Sequence, residues 1–128
     1  MLLFSTAGLM EARNDRRERL HQRVRYWSQR LKAEARIIRV QRMTRKWGSC
    51  STTGTITIAE DLMEQQPGFQ DFVIVHELLH LRVPTHGRLF RAFMWLHLPN
   101  WLAFDIARRR QPPSPSTTVM EAGAEEDD

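Results

Sequence analysis

The chain has 128 residues and a formal net charge of +4, enough for one domain with its own core. A single cysteine, Cys50, excludes an internal disulfide framework and suits a reducing compartment. No stretch approaches the roughly 20 apolar residues of a membrane span, and the opening MLLFSTAGLM lacks the basic-then-apolar order of a signal peptide, so the expectation is a soluble, cytoplasmic protein without membrane contact.

The charge is unevenly spread. Residues 13–46 hold thirteen Lys/Arg against three acids, whereas the last eighteen residues hold five acids and no base. A basic half can attract nucleic acid or an anionic substrate; a solvated helix and strand face explains the same run more simply.

In chain order, residues 1–10 read as a flexible lead-in. Glu11–Glu34 then reads as a helix whose Leu20, Val24, Trp27 and Leu31 share one face. The period changes to two at residues 36–43 and most clearly at Thr55–Ala59, where Ile56 and Ile58 alternate with threonines, and Lys46–Ser51 reads as a further strand between them. The turn residues Ser51–Gly54 join the last two, and the simplest arrangement is a three-stranded antiparallel meander. Glu60–Gln66 predicts a short helix ended by Pro67-Gly68, and Phe69–Arg82 a long apolar helix stopped by Pro84. Thr85 is a candidate cap for a helix over His86–Leu98, and Pro99 opens a last helix to Arg110. The domain is therefore expected over 11–110, an α+β fold with two helices after the central one. Residues 111–128, rich in proline and serine and then acidic, read as a disordered tail.

The segment with chemical content is His76-Glu77-Leu78-Leu79-His80. Histidines four apart share one helix face and can reach one ion, while the intervening Glu77 can hold a metal-activated water and take its proton. Chance placement yields such a pattern in a chain of this composition on the order of once in a hundred. Its position in an apolar helix sharpens the reading, because three buried charge-capable residues need a reason. A catalytic zinc takes three protein ligands and keeps one position open; His86, beyond Pro84, is the candidate third ligand. The three histidines are spaced as in the metzincins, but Val83 stands where those have glycine. Cys50 as a fourth ligand would close the site, and a buried inert thiol is the simpler reading. His21 and His97 read as ordinary histidines.

Arg45-Lys46-Trp47-Gly48-Ser49-Cys50-Ser51, then Gly54–Ile58, then Asp71–Leu81 with its His-Glu-x-x-His, then His86-Gly87-Arg88-Leu89-Phe90, together resemble the YgjP-like zinc metallopeptidases and the related SprT-like domains. The resemblance covers roughly residues 20–110. It implies a zincin-like minimal domain, one zinc on His76, His80 and His86, Glu77 as general base, and a strand at 55–59 beside the cleft. The function implied is hydrolysis of peptide bonds in a polypeptide substrate by Glu-assisted attack of water. Hydrolysis of another bond in an anionic small substrate such as a nucleoside triphosphate is an alternative. So is a nucleic-acid-associated module with SprT-like protease activity. Arg45, Lys46 and Arg88 are the cations near the motifs that could stabilise an oxyanion. If Thr55–Ala59 were the third strand of a meander, its free edge could pair with an extended peptide, making Thr55, Ile56, Thr57, Ile58 and Ala59 candidate substrate-binding residues.

Overall fold

The computed structural model describes residues 6–113. Among these, the first helix, α1, spans Thr6–Leu31 and so begins inside the expected lead-in. Leu20, Val24, Trp27 and Leu31 are buried as the 4-3-4 spacing requires. The helix stops three residues earlier than its composition suggests. Lys32 adopts a left-handed backbone (φ 53°), and the Ser28 hydroxyl donates to the Ala33 carbonyl while accepting from the Ala35 amide. Several of the arginines that make this half basic bond inside the domain. Arg13 and Arg16 pair with Glu60 and Glu64, Arg17 donates to the Val40 carbonyl, and Arg23 binds Asp71 through two nitrogens.

The strands β1 (Ile37–Gln41), β2 (Gly48–Cys50) and β3 (Thr55–Ala59) form one sheet in the order β1-β3-β2. β2 and β3 pair antiparallel, but β1 and β3 pair parallel, so the sheet is mixed and not a meander. The reason lies in composition. β3 is the most apolar strand, with Ile56, Ile58 and Ala59 fully buried and Thr57 buried as well. Such a strand gains most from the centre, covered on both faces, whereas β1 with Arg39 and Gln41 and β2 with Ser49 tolerate an edge. Residues 42–47 carry the chain across the end of β3, and Gly54 (φ 100°) turns it back, its carbonyl accepting from Arg36 and Ile37. The strand proposed to pair with a peptide is therefore paired on both sides. Thr55, Ile56, Thr57, Ile58 and Ala59 present no open edge, and that route to substrate binding is ruled out.

A 3-10 turn over Glu60–Glu64 leads into α2 (Pro67–Leu79), followed by α3 (Arg88–His97) and α4 (Trp101–Arg110). Pro67, expected to end a helix, instead occupies the first position of α2, where its missing N–H costs nothing. Every α2 residue from Phe72 to Leu79 is buried between the sheet and the other helices. The helix yields to a tighter turn at His80, whose amide bonds to the Glu77 carbonyl. Gly87 and Asn100, not Thr85 and Pro99, stand at the starts of α3 and α4. The first residues of the expected tail pack on the domain. The Gln111 carbonyl accepts from the Trp47 indole (2.7 Å), and Pro113 is buried. Residues 114–128 of that tail, and Met1–Ser5 of the lead-in, lie outside the described residues. No helix among the described residues is long and apolar enough to cross a membrane.

Candidate active site

α2 carries His76 and Glu77 in its last turn and His80 at its C-terminal cap. The chain then turns through Leu81 and Arg82, passes Pro84, and returns His86 to the same place just before α3. One ring nitrogen from each of His76, His80 and His86 lies within 4.8 Å of the others. The ring centroids are 5.0 Å (His76–His80), 5.1 Å (His76–His86) and 4.6 Å (His80–His86) apart. Phe90, in the first turn of α3, packs against all three at 4.9–5.4 Å and forms a common wall.

The nitrogens have identifiable duties. His80 Nδ1 lies 3.1 Å from the Pro84 carbonyl, which can only accept, so this nitrogen carries a proton and Nε2 presents a lone pair. That Nε2 is 3.0 Å from His86 Nε2. Two nitrogens bound tetrahedrally to one ion at about 2.0–2.1 Å would stand slightly over 3 Å apart, so the spacing suits shared ligation. Pro84, five residues beyond the end of α2, thus supplies the carbonyl that orients the second histidine.

Glu77 is 3% exposed, and its Oε1 is a buried acceptor with no protein partner, while Oε2 lies 3.3 Å from His76 Nδ1. Burial pushes its carboxyl up to about 7, against the opposing charges of His80, Arg108 and Lys46. An orphaned carboxylate oxygen beside three convergent imidazoles fits a metal ion with an associated water, because each supplies what the other lacks. His86 is shifted down, by burial first and then by His76 and Arg108, which favours the neutral, ligating imidazole.

Gly48, the first residue of β2, lies directly against Glu77. A Cβ there would come 2.9 Å from Glu77 Cγ and 3.2 Å from the Thr57 carbonyl. The glycine of the Trp-Gly-Ser-Cys block is thus the floor on which the glutamate rests. Trp47 packs edge-on to Phe69 of α2, and Cys50 lies two residues beyond Gly48 in β2. Sequence reasoning missed two further groups whose charges reach the site, Asp105 and Arg108 of α4. Their only signal was a carboxylate three residues before a run of arginines, which reads as an ordinary helix end. Arg45 and Arg88 are exposed, and His97 packs against Phe93 and Trp27, away from the cluster.

No curated protein sequence matches the chain. The fold is similar to that in the crystal structure of the metallopeptidase zymogen of Methanocaldococcus jannaschii jannalysin, with a TM-score of 0.61 at 20% identity over 69% of this chain and 91% of that one. It is also similar to the metallopeptidase zymogen of Pyrococcus abyssi abylysin, with a TM-score of 0.59 at 20% identity over 68% and 87% of the two chains. At this identity the likeness concerns the fold. The profile of the YgjP-like, metallopeptidase domain spans residues 11–105, most of the chain. With that match, the chain belongs to the family of YgjP-like metallopeptidase domains.

Proposed function

We propose that the protein is a zinc-dependent peptidase in which His76, His80 and His86 hold the ion and Glu77 is the general base. The observation that carries this reading is the convergence of three imidazole nitrogens within 4.8 Å beside a buried carboxylate oxygen that has no protein partner. Three nitrogen donors leave a fourth position of a tetrahedral ion open, as catalytic zinc requires and structural zinc does not. When bound, the ion would supply Lewis-acid polarisation and make water acidic enough to lose a proton near neutral pH.

The chain's own residues account for the remaining steps. Glu77 receives the proton of the attacking water at Oε1 and passes it to the leaving amine. A carboxylate whose Oε1 is buried without a protein partner can both accept that proton and return it. Phe90 keeps water from the inner side of the histidines, and the Pro84 carbonyl holds the His80 tautomer. An extended polypeptide has an edge to pair with in β2, whose Gly48 touches Glu77 and which the described sheet pairs only on its β3 side. The lone cysteine suits a cytoplasmic setting.

The test is a substrate panel on the metal-loaded protein, with casein, short peptides and nucleoside triphosphates side by side, and metal content measured in parallel. The reading expects one zinc per chain, cleavage of casein or peptide, loss of that cleavage on chelation, and loss of the metal in His80→Ala. Chelator-sensitive hydrolysis of the triphosphate alone would shift the assignment to an anionic small substrate.

A further inference from the structure

A groove of about 270 Å³ opens beyond the far end of β2. Three separate parts of the chain wall it. Lys32 and Arg36 come from the segment that leaves α1, Thr52 and Thr53 from the turn between β2 and β3, and Leu81 and Arg82 from the chain just past α2. Leu81 directly follows His80, and Thr52 stands four residues beyond the Gly48 that lies against Glu77. At roughly 3.3 Å per extended residue, the groove begins no more than about 13 Å along the chain from that glycine.

The charge of the groove is one-sided. Lys32, Arg36 and Arg82 line it with a single acid, Glu34, and no ion pair among the described residues joins any of these four. The cations are also held in place. Lys32 is the one described residue other than glycine with a left-handed backbone (φ 53°), at a helix end where glycine fits most easily. The stem of Arg36 lies along Gly54, its Cγ and Cδ 3.1 and 3.2 Å from where a Cβ would stand, and its Nη1 donates to the Thr53 carbonyl (3.3 Å). Arg82 Nη1 donates to the Leu31 carbonyl (3.1 Å). The unpaired carbonyls at the end of α1 explain Arg82 without a ligand. They do not explain Arg36, which is anchored on the turn, or a lysine where the backbone favours glycine. Each arginine spends one guanidinium nitrogen on these bonds, and its remaining donors are left for a ligand.

We propose that this groove is a substrate subsite that takes an acidic side chain of the polypeptide, roughly three or four residues from the scissile bond. This rests on the peptidase reading. A chain paired with the side of β2 that the described sheet leaves open has its scissile bond beside Gly48 and Glu77, and it runs on past Cys50 to the turn. An aspartate or glutamate arriving there meets three cations already in position. Cations fixed beforehand bind a carboxylate with less loss of side-chain freedom than mobile ones, and guanidinium–carboxylate bonds are among the stronger polar contacts. A lysine or arginine at the same place meets like charge and is rejected. The groove thus sorts polypeptides by charge and leaves the chemistry to Glu77 and the histidines.

The experiment uses full-length, zinc-loaded protein and fluorogenic peptides with both ends blocked. One glutamate is moved stepwise along an otherwise neutral sequence, with glutamine at the same position as the reference. The quantity read is the ratio of kcat/KM for each Glu/Gln pair, so a general change in activity cancels. Wild type should favour glutamate by about tenfold at one position, through KM and not kcat, and the ratio should shrink in high salt. In Lys32→Gly the ratio should fall to about threefold or less while the melting temperature holds or rises, because glycine suits the left-handed backbone. Arg82→Glu should turn the preference toward lysine at the same position. Glu77→Gln, read by fluorescence anisotropy, should hold the glutamate peptide about tenfold tighter than its glutamine partner. A wild-type ratio within about twofold at every position overturns the proposal, and so does a preference that survives both Lys32→Gly and Arg82→Glu. A matched set with free C-termini separates the two sources of a carboxylate; a preference seen only with the terminal one overturns the side-chain assignment. Wild type no faster than Glu77→Gln on every peptide would bring down the peptidase reading itself, while the anisotropy ratio still reports on the groove.

Discussion

Gly48→Ala places one methyl group where the structure has no room for it. The new Cβ would lie 2.9 Å from Glu77 Cγ, 3.2 Å from the Thr57 carbonyl oxygen and 3.3 Å from Val73 Cγ1. The backbone of Gly48 lies outside the left-handed region, so the penalty is one of space and not of φ. Of the three neighbours, the Thr57 oxygen belongs to the central strand, paired on both sides, and Val73 is in the core of α2. Glu77 is the neighbour able to yield, by turning its side chain away from β2. Overpacking of this kind costs about 1–3 kcal/mol in stability. Displacing a reacting group by about 1 Å costs on the order of 10²-fold in rate. The expected result is a modest drop in the urea midpoint, zinc content unchanged because the three atoms nearest the new Cβ belong to Glu77, Thr57 and Val73 and not to a histidine, and kcat reduced by at least about tenfold. Measuring denaturation, metal content and peptide turnover on one preparation checks all three. A Gly48→Ala protein with wild-type stability and turnover would refute the argument that this glycine seats the glutamate.

The remaining predictions follow from the same contacts. In metal-free protein, Glu77 holds its proton up to about pH 7, whereas an unfolded glutamate releases it near the model value of 4.5. The folded state therefore carries the extra proton between those values, and stability falls as pH rises through the window. Glu77→Gln should leave metal-free stability similar at pH 5 and raise it at pH 8 by up to about 3 kcal/mol; coincident melting temperatures at pH 8 would contradict this. Phe90→Ala removes the wall shared by three imidazoles and should cost about 3–5 kcal/mol together with weaker zinc binding, read by denaturation and by competition with a chelator. A chain cut after Pro113 should keep its melting temperature, because the sequence beyond holds too little apolar surface to offset its ordering entropy. A cut after Arg110 should lower it, since it removes the carbonyl bonded to Trp47 and the buried Pro113.

Most of the helical framework was legible because helix faces are written locally. Leu20, Val24, Trp27 and Leu31 lie where their spacing puts them, and the apolar run after Asp71 is the buried helix it resembles. Strand order is not a local property. Thr55–Ala59 alternates like a half-exposed edge strand, but its threonine at 57 is buried and the strand sits at the centre with a parallel neighbour. Only the sum of burial over three strands decides which is the middle, and that choice removed the proposed peptide-pairing edge. At the candidate site, the convergence of His76, His80 and His86 was readable from type and spacing, since an i, i+4 pair and a helix break suffice to bring three imidazoles together. The place of Gly48 was not, because its contact with Glu77 depends on how β2 packs against α2.

The central claim is that Glu77 drives proton transfer at a site held by three histidines. The direct measurement is single-turnover peptide cleavage by wild type and Glu77→Gln at equal zinc occupancy, with occupancy confirmed by mass spectrometry of the native proteins. The account predicts one zinc in each and a rate about 10²–10⁴-fold lower in the glutamine variant. Equal rates at equal occupancy would contradict it.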